Sequence, residues 1–585
     1  MRLTNVAHLR LPFGRLLGFD VAAGELGASL PVSFDQRRHV GAGDRAGSWM
    51  ALSCRLSAPV PLDELATAWL AVIERHGTLR SVFVPGADGE PRLHEVEIRP
   101  AGWVEHTIAP GQAVNDALRA VLDLACSPYA RPSHRLCVLE TAAGPTVVVA
   151  ADHAHVDMWS MLVIARDLLT ALAAVRRDGP PALPPAPAFA EHTRALRERP
   201  AAPAEVRRRW AEVLARSGGV MPRFPLPLGE AAPQEERVEV RDVLDVDDSA
   251  AFAAQARDAE VSTLALVVAA MTEVTHELAG TALRVVFPVH SRYDTTWHES
   301  VGWFITNSLL ESADPAPRAG AAAVKEAVRL GSWPLADILR PWGGMPEAPG
   351  MFAISWLDLR RLPVRVDATG LEAQYVGATI RTDGVMLWFV LDEAGLHLRC
   401  RYPDTPEARR HVGGWLDTLI ARLRSRAAAG SLLRVGDRTY RVRRAARADV
   451  PALVALLSDE IARDRETSEI ARYEEAYDAV TGDPAHYLAV VRDERDRIVG
   501  TMQLTIIAGL SRGGAARLQI EGVRVAPAER SRGIGTAMLE WAHDHGRHRG
   551  ATLAQITTDR VRARAHTFYA RLGYDNSHVG LKRAL

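Results

Sequence analysis

The stretch TVVVAA at 146–151 reads as a short apolar strand. MWSMLVIARDLLTALAAV follows it and sets Met161, Leu162, Ala165, Leu168, Leu169 and Leu172 at helical spacing, which predicts a helix over 158–175. The same mixture of element types runs through the rest of the chain. Residues 251–280 read as two helices, and TALRVVFPVH (281–290) returns to a strand. A long helical pattern ends at Gly430, and the strand-like TYRVRRA begins nearby. Near the end, ARLQIEGVRVAP reads as a strand and GIGTAMLEWAHDHGRHRG as a helix closed by Gly550. The fold class is therefore α+β / α/β throughout.

Two seams divide the pattern. RRDGPPALPPAPAF (176–189) is too rich in proline for a helix and favours an extended segment between two lobes. The second seam lies at 424–445. The expected organisation is an N-lobe over 1–178, a Pro-rich linker over 179–204, a C-lobe over 205–430 and a last domain over 438–585.

Bulk properties narrow the classes. The 585 residues are too many for one core, and length favours about three or four domain-sized units. A formal charge of −1 gives no basic footprint for nucleic acid. Cys54, Cys126, Cys137 and Cys400 are scattered without metal or disulfide spacing, which points to a reducing compartment. The N-terminus lacks a long apolar stretch, and no uninterrupted apolar run reaches membrane-spanning length. A cytoplasmic protein without membrane or nucleic-acid partners is expected.

The candidate chemistry of the first lobe sits in DHAHVDMWSM (152–161), between the strand and the helix. His153 and Asp157 form an H-x-x-x-D pair on a loop framed by two rigid elements. A neutral imidazole, with a reference pKa of ~6.5, suits general-base work near neutral pH. The alternative is zinc: His153, His155 and Asp157 spell H-x-H-x-D, which resembles the first metal-ligand motif of metallo-β-lactamase-like hydrolases. That family has a further His after the Asp, where Met158 and Trp159 stand here. Acyl transfer without a metal is the preferred reading.

LPVSFDQRR (30–38), VIERHGTLRSVF (72–83), DHAHVDMWSM, PVHSRYDTTWHESVGWFITNSL (288–309) and GLHLRCRYPD (395–404) occur in this order. Together they resemble the condensation-domain family of non-ribosomal peptide synthesis, within the chloramphenicol-acetyltransferase-like superfamily, over roughly 1–428. The resemblance implies two similar lobes forming a V around a tunnel. An acyl thioester, on a carrier protein or on CoA, would meet an amine or alcohol acceptor there. His153 matches the family's catalytic His, and Asp157 its structural Asp, with Arg292 the candidate partner. Asp152 and Met158 depart from the motif, where the family has His and Gly. Ser33, Arg75, His76 and Arg80 match motifs of structural role. Trp159 and Trp303 could line the tunnel but read first as core, and Asn307 falls in the segment resembling a floor-crossing strand.

The last domain carries QIEGVRVAPAERSRGIGTAML (519–539), a strand, an R-x-x-G-x-G loop and a helix. Glycines and free N–H groups at a helix start suit a pyrophosphate. RVRARAHTFYARLGYDNSHVGLK (560–582) adds an A-x-x-F-Y-x-x-x-G-Y pattern. The segment from about Tyr440 onward resembles the GNAT family of acetyl-CoA-dependent N-acetyltransferases. The resemblance implies cofactor contacts at Val523, Val525, Arg530, Arg532, Gly533, Ile534, Gly535 and Thr536, and a thiolate-protonating Tyr569. Glu521 is the candidate base, on the strand face of Val523 and Val525 by alternation. Arg562 stands where the family commonly has Asn or Asp.

The expectation is a bifunctional acyltransferase of specialised-metabolite biosynthesis. The alternative is a condensation-like pair of lobes that serves only as a carrier- or substrate-binding scaffold beside an active GNAT domain.

Overall fold

The computed structural model describes residues 2–141, 144–364, 366, 371–458, 470–578 and 583. The end of the C-terminal pattern, 579–582, lies outside them. The chain forms two compact units, 1–246 with 259–423, and 247–258 with 424–585.

The first unit holds two sheets. One has eight strands in the order Arg2–Asn5, Gln374–Gly377, Trp49–Arg55, Thr146–Asp152, His134–Glu140, Arg15–Leu30, Pro91–His106 and Ser81–Pro85. The other has seven: Ile305–Ser312, Leu283–His290, Phe352–Asp358, Val385–Asp392, Gly395–Pro403, Gln234–Leu244 and Arg381–Thr382. Strand Thr146–Asp152 explains its unbroken apolar run. Val147, Val149 and Ala151 enter one core cluster with Trp69 and Leu162, while Val148 and Ala150 enter a second with Leu118 and Leu122. Both faces are covered along 147–151, which accounts for the apolar run there.

Helix Met158–Val175 follows as expected. By length and composition it could cross a bilayer. Its apolar face is packed into the first of those clusters, with Met161, Val163 and Ile164 at 1% exposure or less.

Three expectations change. The strand of Asn307 pairs inside the second sheet, with Leu283–His290. The segment that joins the first sheet from the second half of the chain is Gln374–Gly377, parallel to Arg2–Asn5 and antiparallel to Trp49–Arg55. The 179–204 linker holds an element of its own: helix Phe189–Arg197 begins where the Pro-rich run ends, with Phe189 at 3% exposure. Helix Val246–Asp258, assigned to the C-lobe on sequence, groups almost entirely with the second unit, where Asp247 pairs with Arg444 at 3.2 Å.

The second unit is a six-stranded sheet in sequence order, from Leu432–Val435 through Arg438–Arg444, His486–Arg492, Ile498–Ile507 and Ala516–Val525 to Ala551–Ile556. It therefore starts a strand earlier than residue 438. Helix Ile534–His548 covers it through Ile534, Met538, Leu539 and Ala542. Gly550 takes a left-handed φ of 82° after this helix, as a helix-closing glycine does.

Candidate active sites

Loop 152–157 of the first unit sends its three candidate side chains to different places. The His153 ring lies against Trp303, centroids 4.2 Å apart and planes at 16°. Its Nδ1 is 2.8 Å from the Val156 carbonyl, which can only accept, so Nδ1 carries the proton. Nε2 is left as the basic nitrogen. Burial, followed by the neighbouring His39, lowers the His153 pKa from its ordinary value, so the ring is neutral at pH 7.

His155 is buried on the other side of the loop. Its Nδ1 donates to the Thr78 carbonyl at 3.1 Å, and its ring packs near Phe83. Asp157 is committed to Arg292, with Nη1 to Oδ2 at 2.7 Å and both side chains at 1% exposure or less. The three groups of the zinc reading thus do not converge on one point.

The Asp157–Arg292 pair is fully bonded. Asp157 caps helix Met158–Val175 by accepting from Ser160 N at 2.7 Å, and it also accepts from Phe304 N at 3.0 Å. Arg292 donates to Ser160 Oγ, to Ser300 O and to Trp297 O. Its guanidinium lies between Trp159 and Phe304, 4.8 and 3.9 Å from the ring centroids. Burial works against ionisation of Asp157, yet Arg292 and the Ser160 N–H hold its carboxyl below the usual range. The arrangement ties the loop of His153 to the 300–304 segment that leads into strand Ile305–Ser312 of the second sheet. The segment itself is closely fitted: a Cβ on Gly302 would lie 2.3 Å from the Phe189 ring.

Both motif departures have local partners. Asp152 is fully buried, accepts from Ala154 N at 2.8 Å, and is reached by His39 Nε2 at 3.2 Å. Arg45 donates to His39 Nδ1 at 2.8 Å, so His39 carries its proton on Nε2 and donates to Asp152. His39 also sits edge-on to Trp303, 5.1 Å between centroids. Met158 starts the helix, and its carbonyl accepts from Tyr375 Oη at 3.1 Å. Sequence reading missed His39; Trp303 is partly buried against a core cluster with Val40 and Ala154 and also stacks on His153. Only three-dimensional contact links them to His153, across 113 residues of chain in the His39–Asp152 bond.

Ser33, Arg75 and His76 are structural. Ser33 caps helix Phe34–Gly41 in a reciprocal box with Gln36. Arg75 and His76 both bond Asp167, and Arg75 also reaches Glu299 at 2.9 Å. Arg80 lies 3.7 Å from Glu95.

In the second unit, strand Ala516–Val525 pairs with Ala551–Ile556 only as far as Ile520. Beyond it, Gly522 takes a φ of 59°, and three steps from Glu521 to Arg524 face two steps from Gln503 to Thr501. This is a β-bulge. It overturns the alternation placed on Glu521. Glu521 shares its side with Arg524, not Val525, and is exposed. The edge of 521–525 past Ile520 suits an extended ligand that adds as a strand. The Val523 and Val525 carbonyls already accept from Arg524 Nη1 and Arg530 Nε, each at 2.9 Å, so a ligand there would exchange with those arginines.

The turn before helix Ile534–His548 holds Ser531 at φ 63° and Gly533 at φ 91°. Gly533 is the N-cap, and the helix-start N–H groups of Ile534, Gly535 and Thr536 follow. Such a turn fits a pyrophosphate. The Ile534 side chain is in the core, so its backbone alone can serve. Arg532 is 3.5 Å from the buried Glu529, which also binds Arg438 and Tyr440. Gly535 lies against Phe568, which brings helix Ala563–Arg571 and Tyr569 to this end of the sheet. Tyr569 is half-buried, 5.8 Å from Tyr574, whose hydroxyl is 2.7 Å from His543 Nε2. Arg562 occupies the N-cap of that helix, without a side-chain cap bond.

A two-sheet unit with a framed H-x-x-x-D loop is followed by a bulged sheet with a glycine turn at a helix start. Comparison with known proteins gives the families. Residues 41–317 match the Condensation domain family, and residues 453–574 match the acetyltransferase (GNAT) family. The chain is an acyltransferase that joins a condensation-type region to a GNAT domain. It is 24% identical over 420 residues to acyltransferase PapA3 of Mycobacterium tuberculosis, covering 67% of this chain and 88% of that one. The solved PapA2 acyl transferase superposes with a TM-score of 0.64 at 19% identity, over 73% of this chain and 100% of its own. An aminoalkylphosphonate N-acetyltransferase of Salmonella typhimurium is 39% identical over 67 residues, 12% of this chain and 44% of the relative.

Proposed function

We propose that the chain performs two acyl transfers in the assembly of a specialised metabolite in the cytoplasm. The first unit would join an acyl thioester, carried by CoA or by a carrier protein, to an amine or alcohol. The second would acetylate an amine from acetyl-CoA. The observation that carries the first step is the tautomer of His153: with Nδ1–H held by the Val156 carbonyl, Nε2 is the proton acceptor. As the acceptor nitrogen or oxygen attacks the thioester carbonyl, Nε2 takes its proton. The C–N or C–O bond forms, the C–S bond breaks, and the proton passes to the departing thiolate. No covalent enzyme intermediate is needed.

This makes a pH prediction. The base form is required, and burial lowers the His153 pKa. The acid limb of kcat/KM for the first transfer is expected below pH ~6.5, the reference value for histidine. A limb centred above it would contradict the assignment of His153 as the base.

In the second unit acetyl-CoA would supply an activated acetyl thioester. The 531–536 turn would hold its pyrophosphate, and Tyr569 Oη would protonate the departing sulfur. Tyr569→Phe is expected to slow acetylation about 10²-fold and leave the first transfer unchanged, read as separate product masses. Retention of full acetylation by this variant would remove Tyr569 from the mechanism.

A further inference from the structure

Helix Ala563–Arg571 ends in a turn that brings Tyr574 back onto Tyr569. Leu572 is the C-cap, and Gly573 takes a left-handed φ of 81°. The Gly573 N–H donates to the Ala570 carbonyl and the Tyr574 N–H to the Tyr569 carbonyl, each at 3.1 Å. In this glycine-closed helix end, the second residue past the cap packs on the third residue from the helix end. Here both are tyrosines, edge to face at 65° with centroids 5.8 Å apart.

The turn accounts for the backbone and for the ring contact. It does not call for a hydroxyl on Tyr574, since a phenyl ring would pack as well. That hydroxyl reaches a different element: it lies 2.7 Å from His543 Nε2, on helix Ile534–His548. A hydroxyl both donates and accepts, so the bond forms with either neutral tautomer of the imidazole. Burial, then Arg547, lowers the His543 pKa from its ordinary value, and burial pushes the Tyr574 hydroxyl up to about 12. Both partners are therefore neutral at pH 7. Helix Ile534–His548 opens with the turn of Ser531 and Gly533. The glycine turn and Tyr569 thus belong to separate helices. Phe568 over Gly535 packs those helices without direction, and the Tyr574–His543 hydrogen bond adds a direction.

This inference rests on reading Tyr569 as the group that protonates the departing thiolate. We propose that His543 is a positioning residue for that step: through the Tyr574 hydroxyl it holds the Tyr569 ring in place relative to the helix whose first turn would receive the pyrophosphate. In this role His543 exchanges no proton with the substrate.

Two readouts on the full chain test it. The first is fluorine NMR of the chain without acetyl-CoA, carrying ring-fluorinated tyrosine, with the Tyr569 line assigned by its loss in Tyr569→Phe. His543→Leu is expected to shift that line. His543→Gln keeps a hydrogen-bonding group near the place of Nε2 and is expected to restore it. The second is kcat for acetylation of 4-aminobutan-1-ol by acetyl-CoA, followed by product mass. Tyr574→Phe and His543→Leu are each expected to lower it about tenfold, short of the about 10²-fold that a misplacement of roughly 1 Å can cost, with KM for acetyl-CoA unchanged. The double variant should fall no further, and neither substitution should change the residual rate of Tyr569→Phe. A Tyr569 line unmoved by His543→Leu overturns the proposal. So does a fall in kcat that persists in the Tyr569→Phe background, since the loss then bypasses Tyr569. Tyr569→Phe at the natural rate would instead remove the acid itself, and the positioning role with it.

Discussion

His153→Ala is expected to lower kcat for acyl transfer by the first unit about 10²–10⁴-fold, the usual range for loss of a positioned general base. Folding should be little affected. The ring is half-buried, and its Nδ1–H bonds Val156 O within its own loop. The loop itself is held by other groups: Asp152 through His39 and Ala154, and Asp157 through Arg292 and Ser160. Acetylation by the second unit should continue unchanged. His153→Asn is the sharper companion variant. Its side-chain N–H can still donate to the Val156 carbonyl, but it offers no basic nitrogen. Thiol release from acyl-pantetheine thioesters measures both. Activity retained in both variants would remove His153 from the mechanism.

Arg292→Met is expected to destabilise the first unit by about 3–5 kcal/mol, because it leaves the Asp157 carboxylate buried without its counter-charge. The cost is large because the pair is so completely enclosed, with side-chain exposures of 0% and 1%. The variant also removes donors from Ser160 Oγ, Ser300 O and Trp297 O, and empties the space between Trp159 and Phe304. A fall in the urea midpoint of the first unit's transition, with the second unit's transition unmoved, would report it. Asp157→Asn with Arg292→Met should recover part of the loss, since no buried charge then remains. An unshifted midpoint in Arg292→Met would show that the pair carries no net stability.

Elements and local motifs were legible in the sequence where local patterning decides them. Helix Met158–Val175, strand Thr146–Asp152 and the turn before Ile534 follow from periodicity, capping and glycine placement. The Asp157–Arg292 pair was reached only through the resemblance, since 135 residues separate its members. Strand Gln374–Gly377 was not legible, because four residues carry too little periodicity to announce a partner in the other sheet. Glu521 went wrong for a local reason. Alternation assumes an unbroken strand, and a left-handed glycine at 522 inserts one extra residue. His39 and Trp303 gather beside His153 from distant segments, and no spacing rule connects them.

Under the proposed function the two acyl transfers run independently on one chain. Products formed from octanoyl-pantetheine, acetyl-CoA and 4-aminobutan-1-ol, which offers both an amine and a hydroxyl, are read by mass with the natural chain and His153→Ala side by side. Octanoyl and acetyl products are expected from the natural chain, and acetyl products alone from the variant. Octanoyl product formed by His153→Ala at the natural rate would sink this reading.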